Sequence, residues 1–144
     1  MYTMHDRQSD RQAIELLNQE FCHQLDRGSA DGFVDLFAED ALYTSGSRIF
    51  RGRQQIREFY LGRTQHGPRT SRHFLSFLRV EFLDTTHARG LSAGFTFAAD
   101  GCPPFESTIP AMVADFEDLY VAHGSCWRFV ERRIIPLFRA ILPR

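Results

Sequence analysis

Arg69-Thr70-Ser71-Arg72-His73-Phe74-Leu75-Ser76-Phe77-Leu78-Arg79-Val80-Glu81-Phe82 is the stretch on which the reading of this chain turns. Nothing in it breaks an extended backbone, and it reads as one long strand running to about Leu83. Most neighbours of His73 are apolar or small. An imidazole in such a setting is either satisfied by a fixed partner, such as a backbone carbonyl, or used for proton transfer. The best candidate partner lies far upstream, at Asp26.

Working upstream, residues 1–8 are polar and are expected to fray. Ser9 and Gln12 form an S-x-x-Q pattern resembling a capping box. Ile14, Leu17, Phe21 and Leu25 then repeat at helical spacing, with Leu16 and Cys22 beside them, and Gly28 supplies the stop. Asp26 falls in the last turn, where the helix dipole disfavours a carboxylate. It is therefore either solvated or wanted there by something else. Asp31 to Phe37 reads as a second short helix, Ala41–Ser45 as a strand, Gly46 as a turn and Ile49-Phe50 as another strand. A third helix is expected over roughly 53–64, with Ile56, Phe59 and Tyr60 inward, broken by His66-Gly67-Pro68.

Downstream the pattern is β. Ala88 to Ala98 reads as a strand, 102–110 as a loop, Ala111 to Val121 as a strand and Trp127 to Ile135 as the last. In the third of these, Met112, Ala114, Phe116 and Tyr120 share one face and Asp115 and Glu117 the other. The apolar tail from Pro136 to Leu142 is expected to cover something. Helices first and a meander of long strands after them imply an α+β fold: helices packed on one side of a curved antiparallel sheet. Such a sheet leaves a cone, and a cone lined by phenylalanine is a pocket.

The 144 residues are read as one domain, 1–144 with its core at about 10–135. Fourteen phenylalanines point to a large apolar interior or an aromatic-lined cavity. The formal net charge of −1 provides no field for nucleic acid or an anionic membrane. All 17 basic residues are arginine, which excludes Schiff-base chemistry and a lysine base. Cys22, Cys102 and Cys126 are scattered, the first residues are polar, and no apolar run approaches the roughly 18 residues of a membrane span. A cytoplasmic protein with free thiols is the expectation. The six histidines contain no H-x-x-x-H pair and the cysteines no C-x-x-C, and there is no phosphate loop or dinucleotide fingerprint. No metal and no cofactor is expected. The arginines from Arg48 to Arg79, with Glu58 the only acid among them, read as a solvated face or a subunit contact rather than a nucleic-acid patch.

The order Leu25-Asp26-Arg27-Gly28, Phe37-Ala38-Glu39-Asp40-Ala41, Arg51-Gly52-Arg53, Ile56, Phe59-Tyr60, Arg72-His73-Phe74, Leu78-Arg79-Val80-Glu81-Phe82 and Trp127-Arg128 resembles the SnoaL-like branch of the nuclear-transport-factor-2-like superfamily. The resemblance covers roughly residues 10–135. It implies a cone-shaped barrel of curved antiparallel sheet wrapped around N-terminal helices, in a homodimer or homotrimer. Members include scytalone dehydratase, lindane dehydrochlorinase, polyketide cyclases, limonene epoxide hydrolase and ketosteroid isomerase. Small subunits of aromatic-ring dioxygenases share the fold without chemistry of their own, so the site and not the fold must decide function.

In scytalone dehydratase and lindane dehydrochlorinase an aspartate near the end of the first helix pairs with a histidine on the first long strand. Asp26 and His73 fall on those positions. The resemblance implies a dyad in which Asp26 accepts the Nδ1–H of His73 while Nε2 takes a proton from carbon. Departures narrow the activity. The stretch Gly90-Leu91-Ser92-Ala93-Gly94 lacks the second histidine of scytalone dehydratase, and Phe21 stands where lindane dehydrochlorinase has a lysine. The ketosteroid isomerase base falls near Ser45, and the Asp-Arg-Asp set of epoxide hydrolysis cannot be assembled. Tyr43 is either a donor into the cavity or a packed ring with its hydroxyl at the surface. Cys22, Phe37, Tyr60, Leu75 and Phe77 are the candidate ligand-contacting side chains, Cys22 as packing rather than as a nucleophile. Asp115 is read as exterior. The expected activity is a cofactor-free lyase or isomerase for a small hydrophobic, cyclic molecule; the alternative is a non-catalytic binding protein or accessory subunit.

Overall fold

Helix α1 (Met4–Arg27) buries Ile14, Leu17, Phe21 and Leu25 along a single stripe, the three- and four-residue spacing that keeps side chains on one face. The computed structural model describes the backbone of residues 4–107 and 109–141, with side chains from Arg7 onward. The helix begins well before the expected capping box, so Ser9 and Gln12 lie inside it, and residues 4–8 are helical rather than frayed. Its end is built by Gln24. The Gln24 carbonyl accepts the Gly28 N–H at 3.1 Å and its Oε1 accepts the Ser29 N–H at 3.1 Å. A Cβ on Gly28 or Gly32 would collide with that Gln24 side chain.

Helix α2 (Ala30–Val34) is capped by Ser29, whose Oγ accepts the Gly32 N–H. It stops short of the expected Phe37. Phe37 instead opens β1 (Phe37–Ser45), because it pairs with Phe129 on the last strand and the Phe129 N–H bonds the Leu36 carbonyl at 2.9 Å. Gly46, at φ +60°, makes the turn into β2 (Arg48–Arg51), and α3 (Gly52–Gly62) buries Ile56 against β1. The long strands follow: β3 (Arg69–Phe82), β4 (His87–Asp100), β5 (Met112–His123) and β6 (Cys126–Arg139).

The sheet order is β2-β1-β6-β5-β4-β3, curved and unclosed, with β2 and β3 at its edges. One correction to the expected topology concerns β1, which runs parallel to β6 while the other pairs are antiparallel. The core joins the α1 stripe to Phe33, Phe37, Tyr43, Phe116, Tyr120 and Phe129. Phe33 alone meets the rings of Phe21, Phe37, Tyr43, Phe59 and Tyr60 within 5.2–6.1 Å.

Among the bulges of the sheet, two reset which residues of β3 and β6 face the core. On β3 the extra residue falls between Ser76 and Arg79, and the inward set changes from Ser71, His73 and Leu75 to Leu78, Val80 and Phe82. On β6 the extra residue opposite Leu119–Tyr120 moves the buried set from Trp127 and Phe129 to Arg132 and Ile134. Strand β6 continues through the expected covering tail to Arg139, where Leu137 and Phe138 are exposed; residues 142–144 lie outside the described residues. Among the described residues no helix is long and apolar enough to cross a membrane.

Candidate active site

Strand β3 runs against α1 and answers the question raised by an aspartate at a helix C-terminus. His73 grips the Asp26 carboxylate twice. Its backbone N–H donates to Oδ2 at 2.9 Å and its ring Nδ1 lies 2.6 Å from Oδ1. The Ser71 hydroxyl donates to Oδ1 as well, at 2.9 Å. These bonds replace the favourable field that the helix terminus withholds. Burial alone would raise the Asp26 pKa; the His73 hydrogen bonds and charge, with Ser71, outweigh it and hold the carboxyl below its ordinary 3.8. An ionised Asp26 can only accept, so Nδ1 carries the proton and Nε2 is left with its lone pair. His73 Nε2 has no protein hydrogen-bond partner among the described residues.

Behind the dyad, Arg63 donates to the Leu25 carbonyl at 2.9 Å and to Ser71 Oγ at 3.3 Å. The Tyr60 hydroxyl donates to the Gln24 carbonyl at 2.6 Å. Two carbonyls of the last α1 turn thus accept from side chains of α3 and the residue that follows it, which fixes the turn that carries Asp26. Burial lowers the Arg63 pKa from its ordinary value, with Tyr60, Tyr43 and Asp26 pulling the other way.

His73 stands in the wall of two cavities. The larger, about 730 Å³, is lined on its apolar side by Phe21, Leu25, Phe50, Phe59, Phe116 and Ile134. Tyr43 lines it too, and burial drives its phenol pKa up, so the hydroxyl stays protonated and can donate. No protein group among the described residues takes that hydrogen bond. Strand pairing places Thr96, not the 90–94 stretch, opposite His73; Thr96 is buried and also lines the cavity. The smaller cavity, about 400 Å³, contains Cys22, Leu75 and Phe77 along with Asn18 and Ser92. Burial pushes the Cys22 thiol up to about 11, which leaves it a neutral packing group.

The remaining sequence candidates lie elsewhere. Phe37 is fully buried among Phe33, Tyr43 and Phe129 and lines neither cavity. Tyr60 lines neither and is committed to Gln24. Phe77 is 85% exposed at the rim of the smaller cavity, because the β3 bulge turns it outward at φ +59°. Asp115 stays on the outer face of β5.

Sequence reasoning missed a second polar centre. Arg132 is fully buried, with its guanidinium 4.3, 4.7 and 4.6 Å from the rings of Phe21, Phe116 and Phe129. Its Nη2 donates to Asn18 Oδ1 at 2.7 Å and to Asp118 Oδ2 at 3.3 Å. Its Nε lies 3.0 Å from Asp118 Oδ1, close enough for an ion pair but too poorly aligned for a hydrogen bond. Asp118 also accepts from Tyr120 at 2.7 Å, and Tyr120 accepts from Asn18 at 3.1 Å. Burial raises the Asp118 pKa, against the pull of Arg132. Among the described residues no three His, Cys, Asp or Glu side chains come together as a metal site would require.

The SnoaL-like domain family matches residues 6–133, and the chain belongs to that family. None of the curated proteins compared with it matches significantly. Among solved structures, a scytalone dehydratase candidate from Novosphingobium aromaticivorans is similar at TM-score 0.81 and 17% identity, over 99% of this chain and 94% of that one. A type 2 hexachlorocyclohexane dehydrochlorinase, LinA, aligns at TM-score 0.80 and 16% identity over 98% and 94%. A protein of unknown function from Mycobacterium tuberculosis aligns at 0.79 and 21% over 94% and 76%. At these identities the likeness establishes the fold.

Proposed function

We propose that this member of the SnoaL-like family is a cofactor-independent lyase or isomerase acting on a small hydrophobic, cyclic molecule. The observation that carries the reading is the 2.6 Å contact from Asp26 to His73 Nδ1, in the wall of a 730 Å³ cavity. Nε2 of His73 takes a proton from carbon next to a carbonyl, and Asp26 stabilises the imidazolium that forms. Tyr43 donates its hydroxyl hydrogen bond to the carbonyl oxygen as negative charge develops there. In elimination, the C–O bond to a β-hydroxyl breaks as the imidazolium returns its proton to the departing oxygen, releasing water and leaving a C=C bond. In isomerisation, the same proton returns to a different carbon. Two of the similar structures bear names of elimination enzymes. The cavity is also left open by the surrounding phenylalanines, which favours a ligand over the accessory-subunit alternative.

The test follows conversion of small cyclic β-hydroxyketones to conjugated enones by ultraviolet absorbance. His73→Ala should reduce turnover by about 10²–10⁴-fold with an unchanged circular dichroism spectrum; undiminished turnover would overturn the assignment. We propose a second copy of the chain as partner. Phe74, Phe95, Val113 and Phe138 sit opposite one another across four strands on the outer sheet face, and Phe74 and Phe95 stack at 4.9 Å. Phe95→Glu should shift the sedimentation coefficient to that of a monomer.

A further inference from the structure

One arginine pair on the large cavity is not used by the dyad, the core or an ion pair. Four arginines line this space, Arg48, Arg63, Arg69 and Arg139, against two acids, Glu58 and Asp100. The formal balance of these lining groups is +2 (four cations less two anions) in a chain whose net charge is −1. Arg69 is paired with Asp100 at 3.3 Å and Arg63 is bonded to Leu25 and Ser71. Arg48 and Arg139 have no carboxylate partner among the described residues. The Arg48 guanidinium lies 5.2 and 5.5 Å from the Phe50 and Phe59 rings, which wall the cavity, and Arg139 Nη2 rests on the Gly46 turn.

Their placement relative to His73 is set by the sheet. His73 pairs with Thr96, Thr96 with Met112 and Met112 with Arg139, and all four residues line the cavity. Three strand spacings separate the two ends of that row, about 14 Å along the sheet before curvature shortens it. The inner end carries the partly buried dyad and the outer end the exposed arginines. Aromatic walls occupy the space between. Guanidinium forks match carboxylates in geometry and are poorly hydrated, so desolvating such a pair against an anion costs less than for ammonium groups.

From this we infer that the substrate is a cyclic carboxylate, its carboxyl held by Arg48 and Arg139 at the cavity mouth and its ring against Phe50 and Phe59. The inference names the substrate class of the site proposed above and rests on that reading for the chemistry, though not for the binding. The apolar body explains the phenylalanines; the anionic end explains cations that the fold itself leaves unpaired.

The test is binding of 2-naphthoate against its neutral isostere 2-naphthamide, read by fluorescence or calorimetry on the unmodified protein and on His73→Ala. Naphthoate should bind at least about tenfold more tightly than the amide, a difference near 1.4 kcal/mol. That preference should collapse in Arg48→Gln/Arg139→Gln, weaken with salt, and survive in Arg51→Gln, whose arginine lies outside the cavity lining. Equal affinity for the two ligands, failure of both to bind at millimolar concentration, or an undiminished preference in the double variant would overturn the inference. Neither ligand has a leaving group, so a failed carboxylate preference leaves the His73 test of turnover intact, and failure of that test leaves this preference to be measured.

Discussion

Asp26 and Asp118 are both sheltered carboxylates facing a basic side chain, at 2.6 and 3.0 Å, yet they are built for opposite ends. Asp26 faces an imidazole, whose second ring nitrogen can accept a proton and give it back, and that imidazole stands in the wall of a cavity. Asp118 faces a guanidinium that never deprotonates, and the two side chains line neither cavity, because the rings of Phe21 and Phe116 stand between the guanidinium and the larger one. Hydrogen bonds from His73 and Ser71 hold the first carboxyl below its ordinary pKa, while burial holds the second above it. Under the proposed function, a close acid–base contact marks chemistry only where the base can return its proton and a ligand can reach it. The Arg132 centre instead locks α1 to β5 and β6 through Asn18, Asp118 and Tyr120.

The largest effect that could break this division is on stability. Asp118→Ala leaves Arg132 buried without its counter-charge and should cost about 3–5 kcal/mol in urea unfolding. A loss below about 1 kcal/mol would mean that the rings alone carry the cation. Ser71→Ala removes one of the bonds to the ionised Asp26 and should cost about 1.5–3 kcal/mol. It should also move the acid limb of the activity profile to higher pH. An unchanged limb would place Ser71 outside the dyad's support.

The two carboxylates also differ in the sign of their linkage to pH. Because the folded-state pKa of Asp26 is lowered, its stabilisation is present above 3.8 and is lost as pH falls through the depressed value. Asp118 runs the other way, its raised pKa favouring the folded state as pH falls. The stability gap between wild type and Asp26→Asn should therefore narrow progressively in unfolding series taken below pH about 4; a gap that widens there would contradict the assigned direction. The smallest effect concerns the bulge beside His73. Phe77→Gly should stabilise by up to about 1 kcal/mol, since a highly exposed ring loses little packing and the left-handed backbone is relieved. Destabilisation would show that Phe77 packs on something in solution.

Much of the fold was legible because its signals are local: the α1 stripe, the Gly28 stop and the alternation along β5. Asp26 was legible as an electrostatic misfit, and His73 as an imidazole among small and apolar neighbours. The rest depends on pairings between distant segments. Strict alternation from Trp127 and Phe129 puts Arg132 outside, and alternation from Ser71, His73 and Leu75 puts Phe77 inside; one extra residue in each strand reverses both. The parallel β1–β6 ladder, which turned Phe37 from a helix end into a strand start, carries no mark of its own in either segment. Asp118 stood on the same face as Phe116 and Tyr120 and could have been found by asking what neutralises it.

Nitrogen-15 NMR of the histidine side chains reads, without any substrate, whether Asp26 fixes His73 as an Nδ1–H tautomer with Nε2 left as an acceptor. The expected result is a proton on His73 Nδ1, an unprotonated Nε2 in the neutral ring, and loss of that preference in Asp26→Asn. A neutral ring protonated at Nε2, with Nδ1 bare, would contradict it.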